Sequence, residues 1–429
     1  MARRRAENRG DGNIVELTVE TLGAQGDGVA QWWGKPVFLP FTVPGERVRA
    51  RIGPSRGSGH EGRVIERVAP GSRRAEPVCG HFGNCGGCAL QHLAGEDYRA
   101  VKLGALEAAL SRAGIDPAVV ASLHVVPPTR RRVRIGISRP RDARAPVVIG
   151  FRERFRHNLV DLHECAVMDP AIFALLEPLR RITPAMLAPG ATADAIMTRC
   201  DSGIDLLIES AASPGLPAVE ALAGFAEAND LARIVWRCGD GHVPIVERRP
   251  AWVMFSGAPV LLPPGGFLQA SAAAEAILVE EVVAAVGERR PVIDLYAGLG
   301  TFTFALARAG AVHAVEGDVA AIGALARASS GLARVTTERR ALDRDPVSGA
   351  ELECYAAAVF DPPRAGAYRQ AAALAASKIE TAVAVSCNPG TFARDASCLI
   401  AGGFRLERIV PVDQFVWTPH LELVAAFQR

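Results

Sequence analysis

Lysine is nearly missing from this 429-residue chain: only Lys35, Lys102 and Lys378 occur. Positive charge is therefore carried by arginine, and any surface loop would look basic against that background. No run of about 18 uncharged apolar residues is present, which excludes a membrane-spanning helix by length. Met1 to Gly12 is basic and polar, with no apolar run after its arginines, so it reads as a flexible tail rather than a signal peptide. Lacking a secretory signal, the nine cysteines do not suggest a disulfide scaffold. In a reducing cytoplasm they are expected to be metal ligands, nucleophiles or small core residues. Internal repeats are absent too. What remains is ordinary soluble composition, 49% apolar and 22% charged, on a length that calls for two or three domains.

The formal charge of +2 hides an uneven distribution. Pro127 to Arg156 carries ten arginines (Arg130, Arg131, Arg132, Arg134, Arg139, Arg141, Arg144, Arg152, Arg154 and Arg156) against Asp142 and Glu153, a local charge of +8. That density makes the segment a candidate polyanion contact. The arginine-rich composition is the competing explanation.

Three regions follow from the rhythm of the chain. Residues 13–70 hold short alternating runs, Val15 to Val19, Pro36 to Pro40, Glu46 to Ile52 and Glu61 to Val68, punctuated by glycine and proline. Half-buried strands of this kind predict a small five-stranded OB-type β-barrel, a fold that commonly binds nucleic acid through one face. Residues 71–265 begin with a Cys/Gly loop, continue with a helical pattern over Asp97 to Ala113, and mix helix with strand-like runs at Asp205 to Glu209 and Leu231 to Trp236, a central α+β domain. Residues 266–429 repeat helix and short apolar strand, the signature of a doubly wound α/β domain.

In that last domain the run Pro291 to Tyr296 is followed by Ala297-Gly298-Leu299-Gly300-Thr301-Phe302-Thr303. A glycine turn between strand and helix lets a cofactor approach the backbone. Thr303 stands where a dinucleotide fingerprint has its third glycine, which lowers the NAD reading. The next apolar run ends in Glu316, an acid placed to accept hydrogen bonds from ribose hydroxyls, and turn plus acid points to S-adenosylmethionine. A later strand delivers Asp361-Pro362-Pro363-Arg364 at its carboxyl end, where open α/β sheets bind their ligands.

Thr381 to Ser386 then leads into Cys387-Asn388-Pro389 ahead of a helix. Helix amides and a nearby cation would stabilise a thiolate there. Such a thiolate has a use: added to C6 of uracil, it turns the ring into an enolate whose C5 can attack an electrophilic methyl group. A base must afterwards remove the C5 proton, and Trp417-Thr418-Pro419-His420-Leu421-Glu422 offers Glu422, with His420 beside it. Elsewhere Cys79, Cys85 and Cys88 form a C-x5-C-x2-C loop with Gly86 and Gly87, and Cys165 is the nearest further cysteine. Four thiolates suit an iron-sulfur cluster or zinc. Cys200, Cys238, Cys354 and Cys398 read as packing residues.

Together these residues resemble the RNA uracil-5 methyltransferase family, in particular its bacterial 23S rRNA members with an N-terminal TRAM barrel and an iron-sulfur cluster. The likeness spans nearly the whole chain. It rests most firmly on Cys85-Gly86-Gly87-Cys88-Ala89-Leu90-Gln91-His92, Asp361-Pro362-Pro363-Arg364, Ser386-Cys387-Asn388-Pro389 and Thr418 to Glu422. The resemblance implies a Rossmann-like class I methyltransferase domain, Cys387 as nucleophile and Glu422 as proton acceptor. It also implies cofactor contacts at Gln269, Tyr296, Thr301, Glu316 and Asp361, and a [4Fe-4S] cluster on Cys79, Cys85, Cys88 and Cys165. Members commonly carry Asn where Thr301 stands and Cys where Ala297 stands, and Arg364-Ala365-Gly366 departs from the usual basic residue before the glycine. The implied partner is RNA, 23S rRNA first and tRNA second, with the target uridine flipped out of its stack. A DNA cytosine-5 enzyme and a non-catalytic iron-sulfur RNA-binding protein are the competing readings. The four-cysteine set argues against the first, and the pairing of Cys387 with Glu422 against the second.

Overall fold

Alternation builds the first strands: in Ile14–Thr18 and Gly28–Trp32 every second side chain turns inward, burying Leu17 and Ala30 with Val37, Val48 and Ile52. The computed structural model describes residues 14–429 apart from Ser58 and Phe155, so the basic tail expected at the start lies outside the described residues. The chain divides into two compact units.

One unit holds the residues up to Val78 with Cys88–Gly104 and Trp417–Pro419. Its sheet has six strands rather than the five expected, the addition being the two-residue strand Thr21–Leu22. Backbone bonds from Val19 to Glu46 and from Glu20 to Val29 tie the end of the first strand to the third, which curls the sheet towards closure. A buried pair, Arg74 Nε to Glu46 Oε1 at 2.7 Å, braces the loop after it. Burial would favour the neutral acid, yet the guanidinium and the Val43 amide hold the Glu46 carboxyl below its usual range.

The other unit contains Cys79–Gly87, Ala105–Val416 and His420–Arg429. It carries two large sheets. The first has six strands in the order Gly241–Glu247, Arg233–Cys238, Gly203–Ser210, Thr192–Cys200, Arg132–Ser138 and Val148–Gly150. Helices Leu176–Met186 and Leu216–Ala228 pack on it around Leu179, Leu222, Phe225 and Trp236.

The second sheet has eight strands in the order Val335–Arg339, Val312–Glu316, Val292–Leu295, Ala357–Phe360, Thr381–Ser386, Glu422–Gln428, Arg405–Asp413 and His124–Val125. Most of its pairs are parallel, and Glu422–Gln428 runs against both neighbours. Val292–Leu295, Ala357–Phe360 and Thr381–Ser386 are buried along their whole lengths, as strands covered on both faces must be. Two pieces of the segment assigned from sequence to the central region join this part: His124–Val125 extends the sheet, and the hairpin Trp252–Phe255/Ala258–Leu261 shares a core with Leu299, Phe304 and Leu325. The chain builds outward from Val292–Leu295 on one side and then returns to build on the other. That reversal opens a crevice at the carboxyl ends of Val292–Leu295 and Ala357–Phe360.

Candidate active site

Register decides which residues meet in the crevice. Leu295 pairs with Val315 on one side and Phe360 on the other, so Tyr296, Glu316 and Asp361 emerge side by side, one residue beyond. Ser386 pairs with Leu423 across the antiparallel edge, which sets Cys387 and Glu422 at the same end of two adjacent strands. Helix Pro389–Ala401 follows Cys387, with Pro389 in its first turn and Asn388 as its cap, Oδ1 accepting from the Gly390 amide at 3.0 Å.

The glycine turn forms a cradle. Gly298 and Gly300 have φ of 56° and 96°, a region that L side chains rarely adopt, and a Cβ on Gly298 would meet nothing within 4 Å. Tyr296 shares the left-handed conformation with φ 59°, at a cost of the order of 1 kcal/mol. Burial, with the charges of Asp343, Asp395 and Glu316, pushes its phenol up to about 12. Glu316 accepts the Gly298 amide on one oxygen at 3.0 Å and the Asp318 amide on the other at 2.7 Å, which orients the carboxylate without a side-chain partner. Thr301 begins the helix Thr301–Ala307. Beneath the turn, fully buried Asp294 accepts from Thr303 Oγ1 at 2.5 Å, while its Oδ1 has no partner. Burial pushes this carboxyl up to about 7, with Asp361 and Glu316 adding to it.

A second set links both sides of the crevice. Gln269 donates to Asp361 Oδ2 at 3.4 Å and accepts from Gln414 Nε2 at 2.9 Å. Gln414 Nε2 also donates to Glu422 Oε2 at 2.6 Å, and its Oε1 accepts the Ala270 amide at 3.1 Å. Arg131 holds the Gln269 segment by its carbonyl at 3.1 Å and is itself held by the buried Glu275 at 2.5 Å. Sequence reasoning found Gln269, Asp361 and Glu422 but missed Gln414, Asp294 and Arg131, the last hidden inside a run read as a basic surface. Sequence reasoning also passed over Phe267, whose ring is 66% exposed, with the Arg132 guanidinium 5.9 Å from its centre.

The thiolate expected at Cys387 is not stabilised by its surroundings. Burial, then Glu422 and Asp361, pushes the thiol up to about 11, and Arg364 offsets only part of this. Asp361 is raised to about 7 by burial. Glu422 is raised well above the ordinary carboxylate range by burial and by Asp361, against a lowering hydrogen bond from Gln414. The arrangement is a thiol held protonated beside two carboxyls that themselves favour protons. His420 lies edge-on to Phe415, with ring centres 6.1 Å apart.

The basic segment is largely committed within its own unit. Arg131 pairs with Glu275, Arg132 donates to the Gly265 and Gly266 carbonyls, Arg134 pairs with Asp194 and Glu209, and Arg139 donates to Pro184 and Leu187 carbonyls. Arg141 and Arg144 are exposed. The segment is therefore less a continuous patch than its count of +8 implied.

Among the cysteines, Cys79, Cys85 and Cys165 share a unit, and Cys88 belongs to the other. Cys85 and Cys165 are pushed up by burial, with the charge of Cys79 acting on both. The Gly87 amide donates to Cys85 Sγ at 3.4 Å, and the Val167 and Met168 amides bond to Cys165. A Cβ on Gly86 would lie 2.8 Å from the Arg152 carbonyl, so only glycine passes there. Among the described residues no three His, Cys, Asp or Glu side chains converge on a single metal ion. Cys200 is buried, as expected of a packing residue, whereas Cys354 is exposed and donates to the Glu351 carbonyl, so it does not pack.

Comparison with known proteins matches residues 316–429 to the tRNA (Uracil-5-)-methyltransferase family model and residues 9–58 to the TRAM domain. An uncharacterized RNA methyltransferase of Caulobacter vibrioides is 41% identical, covering 97% of this chain and 100% of its own. The 23S rRNA (uracil(1939)-C(5))-methyltransferase RlmD of Chromohalobacter salexigens is 34% identical over 99% of this chain and 91% of its own. Among solved structures, the Pyrococcus abyssi tRNA (uracil-54, C5)-methyltransferase in complex with S-adenosyl-L-homocysteine shares the fold, with a TM-score of 0.74 at 24% identity, covering 96% of this chain and 100% of its own. No helix among the described residues is long and apolar enough to cross a membrane.

Proposed function

Since this chain belongs to the RNA uracil-5-methyltransferase family, whose members take their methyl group from S-adenosylmethionine, we propose that it methylates C5 of a uridine in 23S rRNA through a covalent adduct on Cys387. The observation that carries this reading is the pairing of Ser386 with Leu423, which puts a half-buried thiol and a buried carboxyl at one end of adjacent strands.

The crevice suits the methyl donor. Gly298 leaves open space where a side chain would stand, and Glu316 is oriented for ribose hydroxyls. Tyr296, Thr301, Gln269 and Asp361 complete the proposed contacts. Bound here, S-adenosylmethionine supplies an electrophilic methyl group.

The protein's part begins with the thiol. Cys387 stays protonated until its proton passes to the Asp361 carboxylate within its field, which leaves Glu422 ionised for the later step. Its sulfur then bonds to C6 of the uracil, and C5 gains the nucleophilic character that the free ring lacks. After methylation Glu422 takes the C5 proton; the C5–H electron pair restores the C5–C6 double bond and the C6–S pair returns to Cys387. The exposed Phe267 ring, backed by Arg132, offers a stacking face for an unpaired base, as single-stranded RNA recognition commonly uses.

A [4Fe-4S] cluster on the four cysteines belongs to the same proposal, and two observations on three of them support it. Cys79 acts on both Cys85 and Cys165, and the two latter sulfurs accept backbone N–H bonds of the kind that tune cluster thiolates. Cys88, three residues beyond Cys85 in the chain, is the proposed fourth ligand.

The 23S rRNA target is supported by the RlmD relative, whose match covers 99% of this chain. The tRNA reading is supported by the family model's name. Mass-spectrometric mapping of 5-methyluridine in 23S rRNA and tRNA, from cells with and without the gene, separates them: the site that loses its methyl group is the target.

A further inference from the structure

Gln414 is buried to 3% exposure, and both polar atoms of its side chain are hydrogen-bonded. Its polarity is not free to reverse. A backbone amide can only donate, so the Ala270 N–H fixes Gln414 Oε1 on its own side and turns Nε2 towards Gln269 and Glu422. Gln269 must then present its oxygen to Gln414 and its amide to Asp361. The chain Asp361, Gln269, Gln414, Glu422 thus has one direction, set by a main-chain group, and it requires an acceptor oxygen at both ends. At Glu422 that oxygen is Oε2. Oε1 accepts no hydrogen bond among the described residues.

We propose that Gln414 is a positioning residue for the final proton transfer: it occupies Glu422 Oε2 and leaves Oε1 as the one oxygen open to the C5 proton. This deepens the reading of Glu422 as the base and rests on it. In the step itself Oε1 gains the C5 proton, the C5–H pair becomes the second C5–C6 bond, and the C6–S pair leaves with Cys387. The amide hydrogen bond on Oε2 favours the ionised carboxylate, the form that accepts a proton. It works against the two titratable groups that face Glu422 from neighbouring strands, Asp361 and Cys387, the latter also in the field of Arg364.

The test separates methyl transfer from adduct breakdown. Full-length protein is mixed with RNA tritiated at uridine C5 and with methyl-labelled S-adenosylmethionine, under single-turnover conditions across pH. Methyl incorporation reads the first half, and tritium release reads the second. Gln414→Met is similar in length and lacks the donor; Gln414→Glu keeps an acceptor for the Ala270 amide but replaces the donor with a charge. In Gln414→Met, tritium release is expected to slow at least tenfold at pH 7 while methyl incorporation slows less than threefold. A denaturation-resistant methylated adduct builds up, and the pH at which release rises moves upward by about one unit. Gln414→Glu moves it further. Equal slowing of both halves, or an unmoved pH limb in variants that melt with the wild type, overturns the proposal. Glu422→Gln is the check on the underlying reading: if it traps no adduct, Glu422 is not the base. If it traps one while Gln414→Met does not, only the role of Gln414 is lost.

Discussion

Cys387 and Glu422 stand at one end of adjacent antiparallel strands, one residue outside the Ser386–Leu423 pair, and after burial Glu422 is the main reason the thiol is held protonated. A thiol at about 11 against the ordinary 9.0 has roughly a hundredfold less thiolate at neutral pH. Alkylation by iodoacetamide at pH 8 is therefore expected to be about a hundredfold slower at Cys387 than at an unperturbed thiol. Glu422→Gln removes the group that, after burial, most raises the thiol, and should speed that reaction severalfold. Site-resolved mass spectrometry checks both, with exposed Cys354 as the internal standard.

Asp294 carries a pH signature. Its carboxyl is raised from 3.8 to about 7 on folding, so the fold favours the protonated acid. Stability from this group is full below pH about 4 and is lost as pH rises through 7. Asp294→Asn cannot ionise, so its stability relative to wild type should improve by a few kcal/mol between pH 4 and pH 8. Thermal melts of both proteins across that range measure the difference. A constant offset would show that the buried carboxyl is not titrating.

Much of this site was legible because the chemistry sits at strand ends, where local pattern and function coincide. Gly298, Glu316, Asp361 and Cys387 each follow a short apolar run directly. Gln414 does not: its meaning lies in partners at 269, 270 and 422, and nothing local marks it. The thiol misled for the same reason. The helix after Cys387 is visible in the sequence, while the carboxyls that outweigh it come from two other strands. Counting arginines between 127 and 156 likewise missed Asp194, Glu209 and Glu275, which lie far along the chain but opposite in space.

Phe267 is an exposed ring beside the Gln269 segment, and base stacking on aromatic rings is worth about 1–3 kcal/mol per base. Phe267→Ala should weaken kcat/KM for RNA by about ten- to a hundredfold and leave cofactor binding within twofold. Equilibrium binding of S-adenosylhomocysteine beside steady-state methylation checks this. An equal loss in both would move Phe267 from substrate contact to structural support.

The cysteine set has a test independent of catalysis. Protein purified without oxygen should carry close to four irons and four sulfides per chain and absorb as a brown chromophore. Cys85→Ser should lose most of both. Zinc in place of iron would replace the cluster with a structural ion.

The covalent step is tested most directly by locating the bond. Glu422→Gln, incubated with RNA and S-adenosylmethionine, denatured and digested, should yield one peptide containing Cys387 that carries the mass of a methylated uridine nucleotide. The same treatment of Cys387→Ala should yield none and no methylated RNA. An adduct on another residue, or continued methylation by Cys387→Ala, would contradict the role assigned to this thiol.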